Sequence, residues 1–328
     1  MWATQGEKKA VSFSRHRISA FVKKHSIGII ALLLFAILSF VSPYFLTSRN
    51  IISILLQVSI NGILTLGMVF VITAGGIDLS IGSMLALTSV IIGMILNSGG
   101  SIWLACIVPV IVTTFFGFLN GALISKLNMF PFVVTLATQL VIRGIAYILS
   151  GGYSQSLANI QFRNIGSGKL WDLIPYPVIA LIVLAILAYI ILHHTKLGRY
   201  VFAVGGNINA AKASGVNVFW TRTATFMIMG FMAGVAGVIM TSRINAAQPN
   251  IGVGYETDAI AAAVIGGTSF AGGVASIPGT IAGILIIGLI YNGMNLLGIS
   301  SYWQTITKGL LICGAVILDI IVRKRRLD

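Results

Sequence analysis

The chain is poor in charged residues and has almost no cysteine. Only 9% of its 328 residues are charged and 57% are hydrophobic, whereas about a quarter of a soluble globular domain is usually charged. This composition excludes an ordinary soluble domain and favours a membrane protein. Cys106 and Cys313 both lie in apolar segments, which indicates neither a disulfide framework nor a metal site.

Acidic residues are also scarce, which limits the chemistry open to the chain. Of seven acids, five lie between the first and last apolar segments, namely Asp78, Asp172, Glu256, Asp258 and Asp319. The sequence contains no paired carboxylates, no nucleophile with an adjacent base and no HExxH motif. His193 and His194 are adjacent and would point to different faces of a helix, so we expect no shared metal. We predict no enzymatic activity, no catalytic residue and no metal on this chain.

Long apolar runs are what the chain has in abundance. Windows of about 20 residues, the length of a helix that crosses about 30 Å of hydrocarbon, recur from residue 27 to residue 322. They predict an all-α polytopic membrane protein with about ten transmembrane helices in one domain, residues 27–322. Glycines weaken the third, fourth and eighth spans, which can mark re-entrant or broken helices. The predicted spans are 27–46, 51–74, 80–97, 102–124, 128–150, 175–194, 221–241, 256–272, 277–297 and 301–322.

Basic residues dominate the charge, with a formal net charge of +14. They cluster at membrane edges, in the N-terminal segment 1–26 and the tail 323–328, which argues against nucleic acid as a partner. The positive-inside bias places both termini in the cytoplasm, with residues 195–222 inside and residues 151–174 outside. The first apolar run is long enough to span and lacks a small-residue cleavage site, so it indicates a retained helix in contact with lipid.

The cytoplasmic connection at about 195–220 contains a predicted helix of its own. Asn207 can cap it, residues 209–214 favour a helix, and Gly215 can take the positive φ of a helix stop. Such a helix either docks on a cytoplasmic partner or is a solvated connector whose basic residues set the topology. The stretch AVGGN lacks the lysine and hydroxyl residue of a phosphate-binding loop.

Asp78 interrupts an apolar run, in the stretch AGGIDLS. A lone carboxylate within a span costs roughly 3 kcal/mol or more, so a functional role is the default hypothesis. The preceding glycines weaken the helix, and Asp78 or Ser80 can then cap the helix that restarts. A structural N-cap explains the acid without a substrate, and direct substrate contact is the alternative.

A second stretch has the same form as the first. GIDLSIGSMLALTSV from Gly76 and GYETDAIAAAVIGGT from Gly254 each contain a glycine, an apolar residue, an acid and then a helix of small residues. Their predicted spans run in opposite directions, as in an inverted repeat. Such repeats place a translocation path at their interface, which favours a transporter over a receptor or scaffold.

Four blocks of the sequence resemble the membrane subunit of bacterial monosaccharide ABC importers, the family of ribose, galactose, xylose and allose permeases. They are GGIDLSIGS, TKLGRYVFAVGGNINAAKASGVNV, YETDAIAAAVIGGTSFAGG and NLLGISSYWQ. The resemblance covers residues 27–322 and is nearest to the ribose-transporting members. It implies a type II importer permease in the bacterial inner membrane that works as a homodimer. A cytoplasmic ABC ATPase would carry the ATP and magnesium, a periplasmic or lipid-tethered protein would deliver the sugar, and this chain would hold no cofactor.

The resemblance also implies which residues couple the permease to its ATPase. These residues of the predicted helix and its approach are Gly205, Gly206, Asn207, Ala210, Ala211 and Gly215. For the translocation path, local chemistry selects polar residues within the spans, because a neutral sugar needs hydrogen bonds and an import path should bind it weakly. The selected residues are Asn61, Asp78, Ser80, Glu256 and Asp258.

Alternatives to an ATP-driven ribose importer remain at this point. A gradient-driven secondary carrier would also have inverted repeats and an intramembrane acid. A channel would conduct passively, and a membrane enzyme would need a catalytic set that the sequence lacks. Within the same family, the substrate could instead be allose, galactose, xylose or inositol.

Overall fold

The chain forms a helical bundle with short connections. The computed structural model describes residues 27–327, without the side chains of residue 318 and residues 322–327, so the basic segment 1–26 lies outside the description. Its helices are α1 (Ile27–Val41), α2 (Ser48–Thr73), α3 (Ile81–Asn97), α4 (Ile102–Leu127), α5 (Pro131–Ser150), α6 (Ile160–Ser167), α7 (Tyr176–His194), α8 (Lys196–Gly206), α9 (Ile208–Ala213), α10 (Val218–Ile244), α11 (Tyr255–Ile265), α12 (Ile277–Leu296) and α13 (Ser301–Leu327).

Seven helices within residues 27–327 are long and apolar enough to cross a membrane, namely α2, α4, α5, α7, α10, α12 and α13. The predicted first and third spans correspond to the shorter apolar helices α1 and α3. The predicted eighth span, residues 256–272, is wrong as a crossing helix. Helix α11 has 11 residues, about 16 Å at 1.5 Å per residue, which is about half the hydrocarbon thickness. It ends at two glycines, of which Gly267 has a φ of 90°.

The helices separate into a buried centre and an outer layer. In α2, 83% of the most apolar stretch of 18 residues is buried. The corresponding stretches of α10 and α12 are also mostly buried. In α4, α5 and α7 only 22% of that stretch is buried, and in α13 only 6%. Because the outer helices expose apolar side chains in their most hydrophobic stretches, their free faces suit lipid or another subunit.

Contacts between connections define two ends of the bundle. At one end, which we call the α9 end (residues 73–76, 195–217 and 266–276), the Gly273 N–H donates to the Thr73 carbonyl at 2.9 Å. At the opposite end, which we call the α6 end (residues 45–50, 151–175 and 292–300), Asn50 and Asn292 exchange side-chain hydrogen bonds of 3.2 and 2.7 Å. Helix α6 lies among four two-residue strands, β1 (Gln155–Ser156), β2 (Lys169–Leu170), β3 (Ile174–Pro175) and β4 (Ala246–Ala247), of which β1 pairs with β4 and β2 with β3, both antiparallel.

The first break in the helical spans lies between α2 and α3. After α2 the chain turns back, because the Gly76 N–H donates to the Val71 carbonyl at 2.9 Å. Residues 77–79 then continue without helical structure, and α3 begins at Ile81. The first ten residues of α3 are all buried. The helix therefore starts inside the protein and not at its surface.

The second break lies between α10 and α11. Its chain segment enters the bundle from the α6 end. After β4, the Gln248 N–H donates to Ser89 Oγ at 3.1 Å, and Gly252 packs against Gly82 at the start of α3. The chain thus follows α3 inward before α11 begins. Backbone without helical hydrogen bonds is tolerated at membrane depth only where protein groups satisfy it. Arg143 of α5 supplies two such bonds, from Nη1 to the carbonyls of Pro249 and Ile251, both 2.8 Å long.

The two stretches that match in sequence differ in local structure at the acid. Asp78 lies in the non-helical segment before α3, whereas Glu256 is the second residue of α11. The glycines that align in sequence therefore stand at different distances from their helix starts. Gly254 has a φ of 83° and is the N-cap residue of α11, while Gly76 lies five residues before the start of α3.

Candidate functional site

Asp78 lies at one end of a buried polar chain at the start of α3. Its side chain has no exposed surface. Its Oδ1 accepts from the Ser80 N–H at 2.8 Å and from Ser80 Oγ at 2.5 Å. The chain continues into two neighbouring helices, because Asn120 Nδ2 of α4 donates to Ser80 Oγ at 3.1 Å and Thr138 Oγ1 of α5 donates to Asn120 Oδ1 at 2.7 Å.

This geometry modifies the predicted N-cap. Ser80 is the N-cap residue of α3, but its hydroxyl makes no bond to the N–H groups of that helix within the described structure. Asp78 instead binds the N–H two residues ahead, an arrangement in which an aspartate closes its own turn. Within the described residues, neither of the two predicted cap residues, Asp78 or Ser80, therefore bonds an N–H group of α3 through its side chain, and Asp78 instead stabilises the turn that leads into the helix.

A substitution at Asp78 separates turn formation from a need for charge. We expect Asp78→Asn to keep most uptake, because its amide oxygen can still accept from Ser80. Asp78→Leu removes the acceptor and leaves the Ser80 N–H unpaired, at a cost of about 1–3 kcal/mol, so we expect less folded protein. The measurements are solute uptake and the amount of folded permease in membranes. If Asp78→Asn abolishes uptake at normal membrane levels, the charge itself is required.

A second polar cluster lies at the start of α11. Lys308 Nζ of α13 forms an ion pair with Asp258 Oδ1 at 2.9 Å, and the Tyr291 hydroxyl of α12 donates to the same oxygen at 2.9 Å. Lys308 also donates to the Gly254 carbonyl at 3.2 Å. Both charges lie on helices within the apolar bundle, where ionisable residues are rare and pair with one another. The cluster holds α11, α12 and α13 together.

Glu256 lies between the second cluster and the start of α3. Its Oε2 is buried and has no hydrogen-bond partner among the residues that the structure describes. A Cβ added to Gly82 would lie 2.8 Å from this oxygen and would overlap the Gly252 carbonyl. The carboxylate therefore lies beside the first turn of α3, where the N–H groups of a helix favour negative charge. The two broken segments cross at this point.

The five residues predicted for the path thus fall into separate groups. Asp78 and Ser80 belong to one cluster, Asp258 belongs to the other, and Glu256 lies at the crossing between the helix starts. Asn61 of α2 is buried, and its side-chain oxygen has no hydrogen-bond partner in the described part of the chain. No hydrogen bond between described residues joins it to the other four.

The residues predicted to couple to an ATPase divide between an inner and an outer face. Asn207 caps α9, with its Oδ1 accepting from the N–H groups of residues 209 and 210, both at 3.0 Å. Gly215 has a φ of 80° and ends the helix as predicted. Asn207, Ala210 and Gly215 are exposed, whereas Ala211 is buried. Ala211 therefore packs inward and does not lie on the free face of α9.

Gly205 and Gly206 lie at an internal junction. A Cβ at Gly205 would overlap the Thr73 carbonyl and lie 2.7 Å from the Gly273 nitrogen. Gly206 is exposed, but it lies close to Gly273, because a Cβ added to Gly273 would lie 2.8 Å from the Gly206 Cα. These glycines allow the end of α8 to contact both the end of α2 and the connection after α11.

Several site residues were missed from the sequence. Arg143 and Lys308 each interrupt an apolar span, and a basic residue in such a position is the signal that could have singled them out. Their partners were not predictable, because Arg143 binds carbonyls more than 100 positions away. Nothing in the neighbouring sequence singles out Asn120 and Tyr291 as site residues, since a lone amide or phenol in a helix is usually part of the packing.

The arrangement as a whole defines a class of protein. Long apolar helices, together with two helix starts inside the bundle and charged side chains beside them, are typical of a membrane transport protein.

Comparison with known proteins gives the family. The chain belongs to the family described as the permease component of the branched-chain amino acid transport system, whose model matches residues 50–316. The chain is 43% identical to the ribose import permease protein RbsC of Bacillus subtilis, over 88% of this chain and 89% of the relative. It is 40% identical to RbsC of Haemophilus influenzae, over 93% and 96%. No solved structure matches this one.

Permeases for other sugars are also similar. The D-allose transport system permease protein AlsC of Escherichia coli is 38% identical over 97% of this chain and 96% of the relative. The L-arabinose permease protein AraH of the same species is 35% identical over 84% of both chains. These relatives confirm the resemblance to sugar importer permeases, and with the apolar spans they identify a multi-pass inner-membrane transport subunit, which is not itself an enzyme.

Proposed function

We propose that this protein is the transmembrane subunit of an ATP-driven monosaccharide importer and that ribose is its substrate. The observation that carries the proposal is the 43% identity to a ribose import permease over nearly the full length of both chains. The intramembrane clusters support it, because hydroxyl, amide and carboxylate groups suit the hydrogen bonding of a neutral sugar. Allose is the second candidate, since an allose permease is 38% identical over 97% of the chain.

The distribution of basic residues supports one orientation of the chain in the membrane. Lys126, Lys196, Lys212 and Arg222 lie on or beside the α9 end, and the positive-inside bias assigns such an end to the cytoplasm. We therefore place the α9 end and both termini in the cytoplasm and the α6 end outside. Residues 1–26 and 323–328 would be basic cytoplasmic segments flanking one permease domain, residues 27–322.

In this orientation, each proposed partner would meet a different end of the bundle. A cytoplasmic ABC ATPase, which would carry the ATP and magnesium, would dock on the exposed face of α9. A periplasmic or lipid-tethered binding protein would deliver sugar to the α6 end. The path would require a second copy of this chain. The outer helices α5, α7 and α13 expose apolar faces to membrane lipid or to that copy.

The path itself would lie where the two breaks cross. The break at residues 74–80 enters from the α9 end, and the break at residues 245–254 enters from the α6 end. Segments that enter from opposite sides and meet near the middle are the arrangement of an inverted repeat. On this basis the half-helix α11 and nine apolar helices would together make ten passages. Glu256, Asp258 and Asp78 would lie beside the path, with Ser80 and Asn61 in its walls.

Uptake of labelled sugars tests the proposal. Cells with and without this gene are given ribose, allose, arabinose, galactose and xylose in turn. We expect the loss of the gene to reduce ribose uptake selectively, and restoration of the gene to recover it. Equal uptake of every sugar in both strains would refute the proposal. Uptake that depends on an ion gradient and persists without ATP would favour a secondary carrier instead.

Large side chains introduced into α9 test whether the ATPase docks there. Ala213 is exposed and Ala211 is buried, so tryptophan at the two positions should act differently. We expect Ala213→Trp to leave the folded permease intact but to reduce ATPase retention at least tenfold, since close docking tolerates little added volume. Ala211→Trp should reduce folded permease itself. The measurements are ATPase pull-down and thermal unfolding, and normal retention by Ala213→Trp would show that α9 is an ordinary connector.

A further inference from the structure

Helix α13 lies on the outside of the bundle, yet polar bonds attach it at two points to a single stretch of chain. Only 6% of its most apolar window is buried. At the first point, Lys308 binds the Asp258 carboxylate and the Gly254 carbonyl at the start of α11. At the second, Asp319 Oδ2 accepts from Ser269 Oγ at 3.1 Å and from the Phe270 N–H at 3.0 Å, just beyond the end of α11.

The spacing of these two points matches the length of the half-helix. Lys308 and Asp319 are 11 positions apart in a continuous helix, about 16 Å at 1.5 Å per residue. Helix α11 has 11 residues and the same rise. Because Lys308 meets its beginning and Asp319 meets the residues after its end, the two helices run parallel. Helix α13 therefore holds the half-helix at both ends.

The connection after α11, residues 266–276, contacts a third element. Its Gly273 N–H donates to Thr73 at the end of α2, and Gly205 at the end of α8 lies directly against it. Gly272 has a φ of 88°, and a Cβ there would lie 2.9 Å from the Gly205 carbonyl. One short connection thus lies between the segment that leads into α9 and the carboxylate of Asp319.

We propose that Asp319 is a positioning residue that couples α9 to the intramembrane site. By binding the Phe270 N–H and the Ser269 hydroxyl, it fixes residues 266–276 to α13. Movement of the α8–α9 segment against these residues then displaces α11 and α13 together, and with them Glu256 and Asp258 at the crossing of the breaks. This inference rests on the proposed function, because it requires an ATPase that moves α9.

The test compares three variants of the full permease, assembled with its ATPase and binding protein. Asp319→Leu removes the acceptor, and Asp319→Asn keeps an oxygen that can accept from the Phe270 N–H. Gly314→Ala is the matched control, because it lies in the same helix and a Cβ there meets no atom within 4 Å. Basal ATP hydrolysis, its stimulation by sugar-loaded binding protein and hydrogen exchange of residues 266–276 are measured for each.

We expect Asp319→Leu to retain the ATPase and basal hydrolysis but to lose stimulation at least tenfold, with faster hydrogen exchange at Phe270. Asp319→Asn should recover most of the stimulation, and Gly314→Ala should match the unmodified protein. Normal stimulation or unchanged exchange in Asp319→Leu would overturn the proposal. The proposal would also be overturned if the loss of stimulation in Asp319→Leu were fully explained by a smaller amount of folded protein.

Failure of the proposed function gives a different result. In that case the unmodified complex would show no stimulation with any sugar-loaded binding protein. Hydrogen exchange in the permease alone would still report whether Asp319 fixes residues 266–276, because that measurement needs neither ATPase nor sugar.

Discussion

Replacement of Gly82 by alanine is expected to reduce the amount of folded permease at least tenfold. The added Cβ would overlap the Gly252 carbonyl and lie 2.8 Å from Glu256 Oε2. The first of these atoms is backbone, in a segment that Arg143 holds by two hydrogen bonds, so it cannot move without breaking other contacts. Overpacking a tight core usually costs about 1–3 kcal/mol, and here the broken contacts add to that cost.

Gly144→Ala is the control for this substitution. Gly144 lies within α5, and a Cβ at that position meets no atom within 4 Å. We expect Gly144→Ala to leave the melting temperature of the purified permease within a few degrees of the unmodified value. Gly82→Ala should reduce folded protein at least tenfold. Equal amounts of folded, active protein from both variants would show that the two broken segments do not cross at Gly82.

Loss of the Lys308 ammonium is expected to have the second large effect. Lys308→Met leaves the Asp258 carboxylate in an apolar bundle without its countercharge. Removal of one partner from a fully buried ion pair costs about 3–5 kcal/mol. Here 24% of the Lys308 side chain and 10% of the Asp258 side chain are exposed, so the cost should be smaller, although a lone acid within a span remains unfavourable. We therefore expect Lys308→Met to lower the melting temperature strongly and to reduce the amount of permease in the membrane.

A double substitution tests whether the charge is the cause. In Lys308→Met with Asp258→Asn, no uncompensated charge remains, and the amide oxygen can still accept from the Tyr291 hydroxyl. Replacing both partners of a buried pair is often nearly neutral, so most of the lost stability should return. Thermal unfolding of the two single variants and the double variant gives the interaction between the sites. A double variant no more stable than Lys308→Met would refute the role of the pair.

Local patterns in the sequence were sufficient for most of the spans and for α9. Apolar runs of about 20 residues can hardly form anything but helices in a membrane, and the cap at Asn207 and the stop at Gly215 use only neighbouring residues. The end of α11 at Gly266 was visible as a weak point in the eighth span. Its consequence, a half-helix that starts inside the bundle, depends on contacts with α3 that hydropathy does not reveal.

The site could be predicted only where its chemistry is local. Asp78 stands out because a carboxylate is costly in an apolar run, and its bond to Ser80 joins residues two positions apart. The next residue of that polar chain, Asn120, donates to Ser80 and lies on another helix. The inward direction of Ala211 was also not predictable, because the small residues of α9 look alike from the sequence and only the packing of α9 on the protein distinguishes its faces.

The central claim is that ATP hydrolysis by a partner drives sugar through this permease. Its most direct test is accumulation of labelled ribose in proteoliposomes that contain the purified permease and its ATPase, with ribose-loaded binding protein outside and ATP inside. We expect accumulation that requires both ATP and the binding protein. Accumulation driven by an ion gradient in vesicles that lack the ATPase would contradict the claim.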